Sequence, residues 1–416
     1  MSAKLQCFDG EHGFGRWIMN TLTYEIFDSI EEINSETWDS IPPSGSYILS
    51  YDFSVIMEEA EIGCLENYYL IFYRGQKPVH KIALMIFEAK YFRFLPEKLK
   101  KLLHKISFPV GGLGTTKVLT VQSLFNVAFS ILLDEEFLRG CKHDLIDAVM
   151  EVGKKTGAAL FLLTDRSVRG FSDDFHVFNY AHNAFMKIRK EWNRFDDYLN
   201  SMHRKPRWKI KKKIRDVAEA GFFIKIVGTD GMNPDEMYEL HRQNVEKYHN
   251  EKELYVVINR KFFYKLKERH PGDMLFFTGY KEGDLLGYLA CIKDEAAGSF
   301  YLESVGFDYM RVDAPLYFSL FYSAIEYCIL NGYRMIDFGF KGLETKLPLG
   351  ATAERAYLLV KPISSWMRFL FRIAENPYIA KRLVPDRGRI QRNIFKIEKQ
   401  DSRHGLLEEK PRERVL

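Results

Sequence analysis

One order of elements is written twice in this chain, and that repetition limits the fold more than any single motif does. Residues 28–40, DSIEEINSETWDS, predict a helix capped by Asp28, with Ile30, Ile33 and Trp38 near one face. Tyr68 to Tyr73 and Val79 to Phe87 read as two strands around a Gly75-Gln76 turn. The uncharged run Val118 to Leu133 reads as buried chain, too short and too polar for a membrane span. Asp144 to Thr156 reads as a helix stopped by Gly157, and Ala159 to Leu163 as a short buried strand. The second half repeats this. Pro234 to His249 is a helix, and Leu275 to Tyr280 with Leu285 to Ile292 a hairpin. Phe300 to Val305 is a strand, Pro315 to Leu330 a helix ended by Asn331-Gly332, and Met335 to Phe338 a strand. The pattern predicts a duplicated α/β unit, near 28–164 and 234–340; one irregular α/β domain is the alternative.

Between the two halves lies RKPRWKIKKKIR, 204 to 215, in which eight of twelve residues are Lys or Arg. The whole chain has 60 basic and 56 acidic residues, so without this stretch the balance is 52 to 56. A chain of that kind does not coat DNA; its positive charge is local and predicts a local anion. Pro206 and Gly221 bracket a helix, with Ile210, Ile214, Val217 and Ala218 predicted to face inward and the cations to spread over the remaining arc. Like charges four apart repel by ~0.2–0.5 kcal/mol per pair, which an anionic partner would relieve. The plainer reading is a solvated linker helix, partly neutralised by Asp216, Glu219 and other acidic neighbours.

Five cysteines without metal-ligand spacing predict structural thiols in a reduced, cytoplasmic protein. The N-terminus lacks the apolar core of a signal peptide. The glycines of FPVGGLGTT, 108 to 116, have no Lys-Ser/Thr after them at P-loop spacing and read as a loop or bulge. His241 and His249 are eight apart, which is not zinc spacing, and no metal site is expected.

Three strings carry a family resemblance: WNRFDDYLNSMHRKPRWKIKKKIRDVAEAG at 192 to 221, LLGYLACI at 285 to 292, and YRMIDFGFKGLETKLPLGA at 333 to 351. With the element order, they resemble the GNAT superfamily of N-acyltransferases, and within it the double-domain FemAB-like and BioF2-like branch. The resemblance covers about 28 to 362. It implies an α/β (α+β) fold of two tandem GNAT-like domains, each a mixed twisted sheet flanked by helices, with a C-terminal helical tail. The expected boundaries are a flexible N-terminus at 1–22, a first domain at 23–190, a basic connecting segment at 191–221, a second domain with the active site at 222–362, and a basic amphipathic tail at 363–416. One departure stands out. The superfamily's glycine-bearing pyrophosphate loop is matched here by Arg311-Val312-Asp313-Ala314-Pro315-Leu316, without glycine, and Pro315 has no N–H to offer a phosphate.

The resemblance implies transfer of an acyl or aminoacyl group from acyl-CoA, an acyl-carrier protein or aminoacyl-tRNA to an amine, with no permanently bound cofactor. Such chemistry needs a base for the amine, a polarised carbonyl and a protonated leaving group. Glu303 is the candidate base, a carboxylate in a strand that otherwise reads as buried; an ion pair with Arg311 or a lysine is the plainer alternative. Tyr301 is the candidate acid, and Asp337 a residue that orients a lysine or accepts a proton. Donor binding is expected from Lys209, Lys211, Lys212, Lys213, Arg215 and Arg311, and acceptor binding from Gly339, Lys341, Gly342 and Lys346. A small-molecule or cell-envelope amine, a carrier protein or a tRNA are the partners expected. The tail interleaves Trp366, Phe369, Leu370 and Phe371 with Arg368, Arg372, Lys381 and Arg382. That composition suits packing on the second domain or an anionic membrane face, placing the protein in the cytoplasm or at the inner face of the membrane. A degenerate module that grips RNA or membrane without turnover is the competing reading.

Overall fold

The computed structural model describes residues 22–42, 47–62, 66–90, 115–122, 135–165, 174–248, 258–269, 271–312, 314–340 and 342–375. They belong to two compact units, one within Met1–Glu88 and Lys117–Ile363, the other within Ala89–Thr116 and Ser364–Leu416. The expectations for 1–21, for 108–114, for Gln122's continuation to Leu133, and for the tail beyond Glu375 lie outside the described residues. None of the described helices is long and apolar enough to cross a membrane.

Twelve strands form a single mixed sheet. In chain order they are β1 (Leu22–Phe27), β2 (Glu66–Arg74), β3 (Lys77–Lys90), β4 (Thr115–Val121), β5 (Leu160–Asp165), β6 (His176–Lys187), β7 (Phe223–Gly228), β8 (Met274–Lys281), β9 (Asp284–Asp294), β10 (Ser299–Phe307), β11 (Met335–Gly339) and β12 (Thr352–Pro362). Their order across the sheet is β1-β2-β3-β4-β5-β12-β6-β11-β10-β9-β8-β7. From either edge, five strands of one half are followed by the sixth strand of the other. The duplication is therefore real, and the halves exchange their last strands. β12 pairs antiparallel with β5 on one side and with β6 on the other. The corresponding inner pairs, β4 with β5 and β10 with β11, are both parallel.

The helices are α1 (Ser35–Ser40), α2 (Tyr51–Glu59), α3 (Glu135–Thr156), α4 (Phe195–Asn200), α5 (Arg204–Glu219), α6 (Pro234–Tyr248), α7 (Arg260–Arg269), α8 (Leu316–Leu330), a single turn α9 (Leu343–Lys346) and α10 (Ser365–Glu375). α8 is apolar nearly all round because it is covered on two sides. It lies on β8 and β9, and α4 and α5 pack against it. Its Leu316 sits on a glycine floor: a Cβ at Gly279 would come within 2.7 Å of Leu316 Cδ1, and one at Gly287 within 3.1 Å of Cδ2. Those glycines in the hairpin thus fix where α8 begins. α6 packs on β10 and β9.

In the first half, Trp38 is the anchor. It is buried against Tyr69, its Nε1 donates to Leu49 O at 3.0 Å, and Lys81 Nζ donates to its carbonyl at 2.7 Å. Burial of one such aromatic contributes roughly 1.5–3 kcal/mol.

Three expectations change. The helix over 28–40 is a 3-10 turn, Ile30–Glu32, followed by α1, and their caps are Ser29 and Asn34 rather than Asp28. Both have side chains that accept the second or third helical N–H, the usual N-cap geometry. On α5, Ile210 and Val217 are buried as expected, but Ile214 and Ala218 face solvent, so the inward stripe is narrower. Five strands had no strand reading: β1, β4, β6, β7 and β12; β4 opens at Thr115 and Thr116, which the sequence placed in a loop or bulge. β6 carries two His and two Asn, and β7 exposes Phe223 and Ile226, so neither shows clean alternation.

Gly306 sets the distance between α6 and β10. A Cβ there would lie 2.8 Å from the Leu240 carbonyl carbon and 2.9 Å from His241 N, backbone atoms that cannot rotate away. Gly306→Ala should therefore destabilise the protein by about 1–3 kcal/mol. Gly272→Ala, into open space, should stay within ~0.5 kcal/mol. Urea denaturation of the two variants checks the difference.

Candidate active site

The parallel ladder between β10 and β11 pairs Ser299 with Met335, Phe300 with Ile336 and Tyr301 with Asp337, and then stops. β10 nevertheless continues to Phe307 and β11 to Gly339. Two irregularities lie at that point. Against β9, Leu302 faces Cys291 and Ser304 faces Ala290, so Glu303 is the extra residue of a bulge. Against β6, Asp337 faces Phe185 and Gly339 faces Ala184, so Phe338 is skipped. Bulges bend strands and re-aim side chains next to active sites. The carboxyl ends of parallel strands are also where α/β sheets receive ligands.

Glu303 keeps partial exposure to solvent, yet protein crowds it closely. Burial pushes its carboxyl up to about 8, with Lys346 pulling in the opposite direction. Lys346 is buried; burial pushes its ammonium down to about 8, against the attraction of Glu303 and Glu344. Lys346 Nζ donates to Phe338 O and, at 3.3 Å, to Gly339 O. The lysine thus ties α9 back onto the frayed end of β11 and supplies the positive charge nearest in effect to Glu303. Arg311 is not Glu303's partner. It donates to Asp284 Oδ2 at 2.6 Å and Asp308 Oδ2 at 2.8 Å, stapling the loop after β10 to the β8–β9 turn.

Asp337 is buried with both oxygens engaged. Oδ2 accepts from Asn183 Nδ2 at 3.1 Å and Oδ1 from Gly339 N at 2.8 Å. That is an orienting arrangement: it holds the backbone at Gly339, whose φ is +74°. Gly342, φ +68°, opens α9 from the left-handed region that glycine adopts without strain. Tyr301 is buried on β10, in register with Asp337. Lys341 lies outside the described residues. The structure therefore brings Glu303, Lys346, Asp337, Tyr301, Gly339 and Gly342 to one place.

The basic helix divides. Lys213 Nζ lies 2.9 Å from the ring centroid of Phe318, in the first turn of α8; burial lowers its pKa, and Lys209 lowers it further. Lys209, Lys211, Lys212 and Arg215 are exposed. Lys211 pairs with Asp196 at 3.7 Å, Lys212 with Asp216 at 3.8 Å and Arg215 with Glu219 at 3.6 Å. Exposed pairs of this kind are worth ~0–1 kcal/mol and exchange readily.

Two of the amides that open α8 are already engaged by the preceding backbone. Leu316 N donates to Ala314 O at 2.7 Å and Phe318 N to Pro315 O at 3.1 Å. Asp313 lies outside the described residues. Sequence reasoning missed Asn183, Tyr198 and Tyr317. Tyr198 OH donates to Leu349 O at 2.7 Å and anchors the far end of the loop that follows β11. Burial raises the Tyr317 hydroxyl above its ordinary pKa, and the Thr345 side chain, next to Lys346, pulls it back down. Asn183 left no clear signal, because β6 already mixes two His and two Asn with its apolar residues.

The model of a family described as peptidoglycan biosynthesis/recognition matches residues 134–365. No curated protein matches the sequence. Among solved structures, FemX is similar at a TM-score of 0.49 and 11% identity, covering 80% of this chain and 96% of that one. A tandem GNAT protein from the clavulanic acid biosynthesis pathway is similar at 0.47 and 10%, covering 83% and 99%. L-PGS from Bacillus licheniformis is similar at 0.44 and 12%, covering 70% and 98%.

The two shifted groups give stability a pH signature. Folded Glu303 holds its proton to about 8, against an ordinary value of 4.5. The folded state therefore binds the extra proton in that window, and stability falls as pH rises through it. For Lys346, between about 8 and 10.5, the unfolded state binds the extra proton, and stability recovers as pH rises. Glu303→Gln removes the first effect. From pH 5 to 8, the wild-type melting temperature should fall by roughly 2–4 °C relative to the variant's. Parallel curves in differential scanning fluorimetry would refute the assignment.

Proposed function

Because the chain belongs to the FemAB-like family, we propose that it transfers an acyl or aminoacyl group from an anionic activated donor to an amine at the β10–β11 fork. The observation that carries this reading is the bulged Glu303 beside Lys346. An acid with a pKa near 8 is well matched to deprotonating an attacking amine. In this reading the amine nitrogen attacks the donor's carbonyl carbon and passes a proton to the Glu303 carboxylate. The bond to the leaving sulfur or oxygen then breaks, and that atom takes up a proton, from Tyr301 or from Glu303 in turn. Lys346, as the cation, favours the negative charge that develops on the carbonyl oxygen and keeps Glu303 ionisable. Asp337 and Asn183 act as positioning residues that hold Gly339 and the loop after it.

The donor is acyl-CoA, an acyl-carrier protein or aminoacyl-tRNA. The engagement of Leu316 N and Phe318 N by Ala314 O and Pro315 O favours a donor held elsewhere than by its pyrophosphate on that helix. Lys213, at the first turn of α8, is the nearest cation to that point on the basic helix, with Lys209, Lys211, Lys212, Arg215 and Arg311 further out or already paired. The acceptor is a small-molecule or cell-envelope amine, with Lys341, Lys346, Gly339 and Gly342 as the residues assigned to it.

Each donor class should be supplied with and without an amine, and donor consumption followed. Turnover should require the amine and rise with pH up to about 8, as Glu303 ionises. Glu303→Gln should lower kcat by roughly 10²–10⁴-fold and abolish that rise. Lys213→Glu should raise the donor KM more than Lys211→Glu does. Salt-sensitive donor binding without turnover would favour the binding-module reading, and an unchanged kcat in Glu303→Gln would remove the base.

A further inference from the structure

The smaller unit carries a surface that the transfer reading leaves unused. Helix α10 buries Met367, Leu370 and Phe371. Its solvent side presents Trp366, 45% exposed, and Phe369, 53% exposed, where a soluble helix would show polar residues. The two rings stack on one another at 5.9 Å and 28°. Arg368 and Arg372 are exposed beside them, and Arg368 donates to Ser365 Oγ at 3.1 Å. From Ser365 to Arg372 the sequence contains no acid.

We infer that this face of α10 docks on an anionic lipid surface, with Trp366 and Phe369 inserted at headgroup depth and Arg368 and Arg372 paired with lipid phosphates. Large amphipathic rings beside arginines suit the membrane interface, where one end of the ring meets hydrocarbon and the other stays wet. A second copy of the chain is the weaker occupant. A two-fold contact through this face would gather Arg368 and Arg372 of both copies into one interface, with no acid between Ser365 and Arg372 to neutralise them. The inference is independent of the transfer reading, and either can fail without the other.

Flotation of the full chain tests it, using phosphatidylcholine vesicles with and without phosphatidylglycerol. Binding should require phosphatidylglycerol and weaken with salt. The double variant W366S/F369S should lower partitioning by roughly tenfold or more, since each ring loses its burial. R368E/R372E should lower it by roughly fivefold or more per charge. Both pairs are exposed, and an unchanged melting temperature verifies folding. K209E/K212E, on α5, should leave binding largely intact. Three results would overturn the inference: no binding of the wild type, binding lost with K209E/K212E but kept in both α10 variants, or a dimer in sedimentation velocity that W366S/F369S dissociates while vesicles stay unbound.

Discussion

The antiparallel pairing of β6 with β12 is the contact on which the rest of the larger unit depends. It runs from Thr352 opposite Phe185 to Val360 opposite His176. Each strand is the last of its own half and lies inside the sheet of the other. Neither half can complete its sheet alone, because the strand that covers the edge of β5 or β11 comes from across the duplication. An uncovered edge at either place would leave a row of unpaired backbone groups. Further contacts bind the halves through α2 and α7, where Glu59 meets Lys265 at 3.0 Å and Arg269 at 3.1 Å.

That exchange also builds the site. β11 is held between β10, its own neighbour, and β6, the visitor from the first half. On the β10 side the ladder ends at Tyr301 and Asp337; on the β6 side it skips Phe338. Asn183, which fixes Asp337, belongs to β6. The second half therefore carries the chemistry, while the first half supplies one of the hydrogen bonds that hold it in shape. The Lys346 ammonium then closes the frayed end by donating to the carbonyls of Phe338 and Gly339, just past the point where the ladder to β10 stops.

Much of this was readable from the residues. The hairpins, α8 and its Asn-Gly stop, β10 and β11 follow from apolar runs punctuated by turn residues, signals that depend on the nearest few positions. Glu303 announced itself as a carboxylate in a buried strand. The reading ran out where a residue's role depends on a distant partner. Nothing near Asn183 in sequence mentions Asp337, 154 residues away. Nothing in the basic stretch reveals that Lys213 alone among its candidates packs over Phe318 while Lys211, Lys212 and Arg215 pair with local acids. Asp28 lost its cap to Ser29 because the neighbouring hydroxyl reaches the helical N–H groups first.

By itself the sequence determined the class of the fold, its duplication, the local elements and the residue types at the fork, because these rest on period, propensity and turn chemistry acting over short distances. The tertiary structure alone decided that the halves trade their final strands, that Glu303 sits in a bulge, and that Lys346 is drawn inside, where its charge acts on Glu303. Those outcomes come from strand register and from burial, which are properties of chain segments brought together from opposite ends of the sequence.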